Sequence, residues 1–169
     1  KFSAGKKHLI GLAKHSNFFD YCISYSPSDL NSDFVTKYKH IFEAERGAGY
    51  WLWKYEIIKN LLNEINDEDL VIYCDAGASL NYFAKKRFNE YIDIINSSKF
   101  GNFRIECESL FIENQWTSKE LFNYFNLDVN SEIGNSVQLE AGHMIYKKNI
   151  HKINYFNEFK KVIDFDPEL

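Results

Sequence analysis

One α/β domain with a mostly parallel sheet flanked by helices is the fold class the sequence predicts, on three observations. Helix-like and strand-like periodicities alternate along the chain. One run, Leu70 to Cys74, is continuously apolar, as expected of a central strand covered on both faces in a parallel sheet. The chain's 169 residues, 45% hydrophobic and 17% aromatic, supply one sizeable core. No internal repeat, low-complexity tract or linker divides residues 1–169, so they read as a single domain.

Taken in order, Ser3 can cap a helix carrying Leu9, Leu12 and Ala13 on one face, and Tyr21 to Tyr25 follows as a short strand. Ser26-Pro27-Ser28-Asp29 is a turn, after which Phe34, Tyr38, Ile41 and Phe42 recur at helical spacing. Ile57, Ile58, Leu61, Leu62 and Ile65 form the clearest helical stripe, broken by Asn66 to Asp69 ahead of the Leu70–Cys74 strand. Phe88, Tyr91, Ile92 and Ile95 mark another helix. Strand-like runs at Asn102 to Glu106 and Leu110 to Glu113 come next. Thr117 and Glu120 fit the N-cap and N3 positions of a capping box that opens a helix to about Phe125. After a polar loop from Asn126 to Asn135, Gln138 to Tyr146 suggests a strand, and Ile153, Phe156, Phe159 and Ile163 a last helix.

Twenty basic against twenty-four acidic side chains give a net charge of −4. Such a balance provides no overall positive field for phosphate backbones, so a general nucleic-acid binder is disfavoured. Apolar runs fall far short of the ~20 residues that cross a bilayer. The start reads neither as an initiator Met nor as a signal peptide, but as a chain begun partway in. The three cysteines, Cys22, Cys74 and Cys107, are widely spaced and read as small buried hydrophobes rather than a disulfide or metal framework.

Several segments carry residues that packing alone does not explain. In Arg46-Gly47-Ala48-Gly49-Tyr50-Trp51-Leu52-Trp53-Lys54 the glycines permit unusual backbone, the tryptophans offer stacking faces, and Arg46 and Lys54 could bracket a diphosphate. The plain alternative is a tight helix-entry turn with core tryptophans. Asp75 ends the apolar strand, followed by Ala76 and Gly77, at the carboxyl edge where open α/β sheets bind ligands. A carboxylate there needs a metal, a cation or ligand hydroxyls, or it serves as an Asx-turn. Gln138 and Glu140, two apart on a strand, would share one face and could hydrogen-bond a sugar or stabilise charge at its anomeric carbon. A solvated edge strand is the plain alternative. His143 reads as a surface or packed histidine. Glu113, Trp116, Thr117 and Lys119 form a weaker cluster at a helix start.

At these residues the chain resembles a group of small bacterial glycosyltransferases of the nucleotide-sugar-dependent GT-A type, associated with capsule or lipopolysaccharide synthesis. The shared pattern is Arg-Gly-x-Gly-Tyr-Trp-x-Trp-Lys at Arg46 to Lys54, a helix, a strand ending Asp75-Ala76-Gly77, Trp116-Thr117-x-Lys119, and Gln138-x-Glu140-Ala141-Gly142. It covers roughly residues 20 to 160. The resemblance implies a GT-A-like (Rossmann-like) fold and a transferase that moves a sugar from a nucleoside diphosphate to a hydroxyl of a glycan or glycolipid acceptor. A cytoplasmic location follows, with peripheral association at the inner face of the membrane.

Carried over residue by residue, the resemblance places Asp75, Gln138 and Glu140 in catalysis. Arg46, Tyr50, Trp51, Trp53, Lys54, Gly77 and Lys119 then bind the donor. The wider class holds Mn2+ or Mg2+ with an Asp-x-Asp pair; Asp75 matches its first carboxylate, Gly77 replaces the second, and Lys54 or Arg46 is the alternative neutraliser of the diphosphate. Tyr55 also departs from the usual Trp-Lys-Pro. The family's first strand would precede or overlap Lys1 and its members run past Leu169, so a trimmed domain is expected. A non-catalytic nucleotide- or carbohydrate-binding module on the same fold is the competing expectation.

Overall fold

A computed structural model describes residues 3–167; the ends around Lys1 and Leu169, on which the trimmed-domain expectation turns, lie outside them. The described elements run α1 (Ser3–Ser16), α2 (Ser32–Lys37), α3 (Lys39–Phe42), α4 (Gly47–Tyr50), α5 (Leu52–Glu64), β1 (Leu70–Cys74) and α6 (Lys85–Ser97). They continue with β2 (Asn102–Phe103), α7 (Glu113–Trp116), α8 (Lys119–Tyr124), β3 (His143–Lys147) and α9 (Ile150–Phe165).

The sheet corrects the predicted fold class. It has three strands in the order β1-β3-β2, and both pairings are antiparallel. Half of the described residues are helical, so the molecule is a small antiparallel sheet among helices rather than a mostly parallel GT-A-like, Rossmann-like sheet. The central strand is β3, buried from Met144 to Lys147, whereas β1 lies at an edge and buries only Val71 and Tyr73. A continuous apolar run records that both faces are shielded; it does not record strand direction or how many neighbours hydrogen-bond to it.

The period of two sorts the sheet's faces. Val71, Tyr73, Met144 and Tyr146 point towards α5 and α9, where Tyr55, Ile57, Ile58, Leu62, Phe156 and Ile163 complete the core. On the opposite face the Phe103 ring packs 4.8 Å from Tyr91 of α6, and Lys147 Nζ donates to the Asn96 carbonyl of α6 at 3.4 Å. Ile95 of α6 is fully buried there.

Four predicted strands differ. Asn102 to Glu106 keeps only Asn102–Phe103 as strand, with an isolated bridge from Glu106 to Leu139. Tyr21 to Tyr25 forms no strand among the described residues, and Tyr21 and Ile23 are exposed; Lys6 Nζ donates to the Tyr25 carbonyl at 2.9 Å. A cavity of about 160 Å3 separates Ile23–Tyr25 from β1, with α1 and α5 as its other walls. Leu110 to Glu113 contributes one bridge, Ile112 to Val137, before turning into α7, and Gln138 to Gly142 precedes β3 with one bridge at Leu139. The expected capping box does not form, because the cap sits one residue later and N3 is then Leu121. Ser118, not Thr117, caps α8 by accepting from Leu121 N at 3.1 Å, and Thr117 Oγ1 instead donates to Glu113 Oε2.

Between α3 and α5 the chain makes a left-handed turn. Gly47, Ala48, Gly49, Tyr50 and Trp51 have φ of 62°, 51°, 90°, 49° and 61°. Glycine is required at 49, where an added Cβ would meet Phe42 Cδ1 at 2.9 Å and the Ile41 carbonyl oxygen at 3.2 Å. Each non-glycine residue in this region costs about 1–2 kcal/mol.

Candidate active site

The candidate site forms where the C-terminal end of β1 meets the start of β3. Asp75 leaves β1 with its N–H donating to the Gly142 carbonyl at 2.9 Å, extending the β1–β3 ladder by one residue. Tyr73 precedes Asp75 by two residues, hence lies on the same face, and its phenol donates to Asp75 Oδ1. Burial first, then the Asp75 hydrogen bond, pushes the Tyr73 phenol up, so it stays a protonated donor.

Lys54, in the first turn of α5, reaches the same carboxylate. Its ammonium lies 2.9 Å from Asp75 Oδ1 and 3.2 Å from Oδ2, and donates to the Ala141 carbonyl at 3.0 Å. The Lys54 side chain is only 12% exposed, against 44% for Asp75. The ammonium is therefore held from inside while the carboxylate faces solvent. The rings of Tyr73 and Trp53 flank it at 5.1 and 5.8 Å.

Glu140 joins this group across Gly142. A Cβ at Gly142 would stand 2.9 Å from Glu140 Oε1 and 3.5 Å from Asp75 Oδ2, so the bare α-carbon leaves both carboxylates room on one side. Glu140 Oε1 is also 2.9 Å from His143 Nδ1, and Arg104 Nη1 donates to the Glu140 carbonyl at 3.2 Å. Cys74 reports the same crowding: burial first, then the Asp75 and Glu140 charges, raises its thiol to about 11, which makes it an inert thiol.

Lys54, Asp75 and Glu140 are thus the sequence-predicted residues that the fold brings together. Trp53 supports them, half-buried, its Nε1–H donating to the Gly47 carbonyl at 3.0 Å. That bond ties the site to the left-handed turn, whose Tyr50 and Trp51 are 50% and 44% exposed. The Arg46 guanidinium sits 5.9 Å from the Trp51 ring, and Arg46 is itself exposed. Gly77 is exposed, with open space where a side chain would stand.

Gln138 and Lys119 lie apart. Gln138 Nε2 donates to Glu113 Oε2 at 3.3 Å, so it belongs to the Glu113–Thr117 group rather than to Glu140. Lys119 is exposed at the start of α8, and its side chain makes no hydrogen bond or ion pair among the described residues. Tyr73, Gly142 and His143 were not singled out by the sequence as site residues. Tyr73 carried a usable signal in its spacing of two from Asp75, and Gly142 lay within the Gln138-x-Glu140-Ala141-Gly142 pattern.

The donor set around Asp75 does not fit a divalent cation. Both of its oxygens already accept from Lys54 or Tyr73, Glu140 is engaged by His143, and among the described residues no three His, Cys, Asp or Glu side chains converge. Mg2+ or Mn2+ wants several unengaged oxygens. Among the described residues no helix is long and apolar enough to cross a membrane. No protein-family profile, curated protein or solved structure matches the chain.

Proposed function

We propose that this chain is a glycosyltransferase that moves a sugar from a nucleoside-diphosphate sugar to a hydroxyl of a glycan or glycolipid acceptor in bacterial surface polysaccharide synthesis. The carrying observation is the convergence of the Lys54 ammonium with the Asp75 and Glu140 carboxylates about Gly142. In glycosyl transfer, negative charge grows on the departing diphosphate while the anomeric carbon becomes positive. The exposed Arg46 suits the first, and a solvent-facing carboxylate held by Lys54 suits the second. Trp51, open to solvent beside Arg46, offers a face on which a base or sugar can stack.

The reading rests on this side-chain group and not on the fold, because a three-stranded antiparallel sheet supplies no parallel-strand nucleotide cleft. In it the exposed Arg46 neutralises the diphosphate while Lys54 holds Asp75, and no step passes through a metal. One observation favours a binding module instead: both Asp75 oxygens are already occupied by protein donors.

Turnover separates the two. A panel of nucleotide-sugars, with and without acceptor glycans, is assayed for release of free nucleoside diphosphate. Lys54→Ala and Asp75→Ala are each expected to lower the rate by at least about 100-fold while the variants stay folded by circular dichroism. Near-normal rates in both variants would sink the site assignment. Nucleoside-diphosphate binding with no turnover of any donor would favour the binding module.

A further inference from the structure

His143 opens β3 opposite Cys74, next to the Asp75 end of β1. Its Nδ1 lies 2.9 Å from Glu140 Oε1, and an ionised carboxylate can only accept. The neutral ring therefore carries its proton on Nδ1, leaving Nε2 with its lone pair. That nitrogen makes no hydrogen bond among the described residues. Both side chains reach solvent, His143 at 44% and Glu140 at 36% exposure. An imidazole held in one tautomer by a carboxylate, with its other nitrogen unbonded among the described residues and its side chain open to solvent, is the arrangement general-base catalysis requires.

The charged groups around this pair are few. Asp75 faces Glu140 across Gly142, Lys54 neutralises Asp75 and bonds the Ala141 carbonyl, and Arg104 holds the Glu140 carbonyl. With Asp75 and Lys54 offsetting each other, Glu140 is the charge that acts most directly on the ring.

We propose that His143 is the general base of this site and Glu140 its positioning residue. The inference rests on the glycosyl-transfer reading and deepens it. The acceptor hydroxyl gives its proton to His143 Nε2 as its oxygen bonds to the anomeric carbon. The bond from that carbon to the diphosphate oxygen breaks, and its electron pair leaves on the diphosphate. The imidazolium then returns its proton to solvent. Glu140 holds the tautomer and stabilises the transient imidazolium without attacking the sugar.

The pH profile of transfer by the whole chain tests this. Wild-type kcat/KM should show an acidic limb, falling as the general base takes up a proton. His143→Gln should lower kcat by about 100-fold or more, abolish that acidic limb and leave nucleoside-diphosphate affinity within about twofold. Imidazole added to His143→Gly should restore part of the rate, which a merely structural role would not allow. Glu140→Gln should lower kcat by about 10-fold while leaving nucleoside-diphosphate affinity within about twofold, because the ring loses the acceptor that holds its tautomer. A limb that persists in His143→Gln, or a rate within about threefold of wild type, overturns the proposal and leaves glycosyl transfer standing. Failure of the wild type to bind nucleoside diphosphate or consume any donor overturns both. Nitrogen-15 NMR gives a readout independent of turnover: the wild-type ring should show the Nδ1–H tautomer, with that preference weakened in Glu140→Gln.

Discussion

Two lysines illustrate how differently the fold treats the same side chain. The Lys54 ammonium is almost enclosed, yet has the Asp75 carboxylate and the Ala141 carbonyl as partners. Lys152, on α9, is 1% exposed, and its Nζ has no hydrogen-bond partner. It lies 4.4 and 5.0 Å from the ring centres of Tyr155 and Tyr146. Burial first, then the nearby Arg104 charge, lowers its amine to about 8. Because the folded value lies below the unfolded one, the unfolded chain binds more protons between about pH 8 and 10.5, and this side chain's penalty on stability shrinks across that window. Lys152→Met is expected to stabilise the protein by about 2 kcal/mol at pH 7, the loss of two cation–π contacts offsetting part of the relieved burial cost. Denaturant unfolding at pH 7 and pH 10 checks this: the gain over wild type should be smaller at the higher pH.

Among the elements, the long helices α5, α6 and α9 were legible because a stripe of apolar residues at helical spacing has one geometric meaning. Strand β1 was legible as a strand, but its direction and edge position were not, since its neighbour β3 lies far along the chain and leaves no mark on the run Leu70 to Cys74. Tyr21 to Tyr25 has strand composition without a partner strand, and a strand is completed only by its neighbour. At the site, Lys54 and Asp75 stood out as charges flanking apolar segments. His143 did not, because its role depends on Glu140 folding back onto it through a glycine turn.

The left-handed turn is a further element that composition only hinted at. Its two glycines announced unusual backbone, but not that Ala48, Tyr50 and Trp51 would share it. Ala48 is exposed, so relieving its strain disturbs little packing. Ala48→Gly should raise stability, by at most about 1 kcal/mol, because the gain in the left-handed region is offset by the greater freedom of glycine in the unfolded chain. A thermal melt of the two proteins decides it. A destabilised variant would mean that the Ala48 methyl makes a contact worth more than the strain.

At the scale of the whole molecule, Asp164 fastens the last helix to the early part of the chain. It accepts from Lys160 within α9, from Lys37 at the end of α2, and from the Tyr38 phenol at 2.6 Å. The hydrogen bonds from Lys160, Lys37 and Tyr38, in that order, hold its carboxyl well below the usual carboxylate range. A depressed folded value means that the stabilisation is complete above the unfolded value of about 3.9 and disappears as pH falls through the lower folded one. Asp164 is about a third exposed, so solvent screens the pairs. Asp164→Asn is expected to cost about 1 kcal/mol at pH 7, with the difference from wild type vanishing in strong acid and diminishing in high salt. Urea titrations across pH measure it, and a penalty independent of pH would show that packing, not charge, is responsible.

The backbone from Gly47 to Trp51 has one more consequence, which concerns chirality. Along this stretch a chain of L-amino acids coils in the sense natural to their mirror images. Left alone it would relax, so its shape is imposed by its surroundings: the Trp53 indole on the Gly47 carbonyl and the close fit of Gly49 against Phe42. Handedness here is a property of the tertiary structure rather than of the residues. Whatever presents Trp51 and Arg46 to solvent is therefore maintained from the core outward, and a D-residue at position 48 would find there the conformation it prefers.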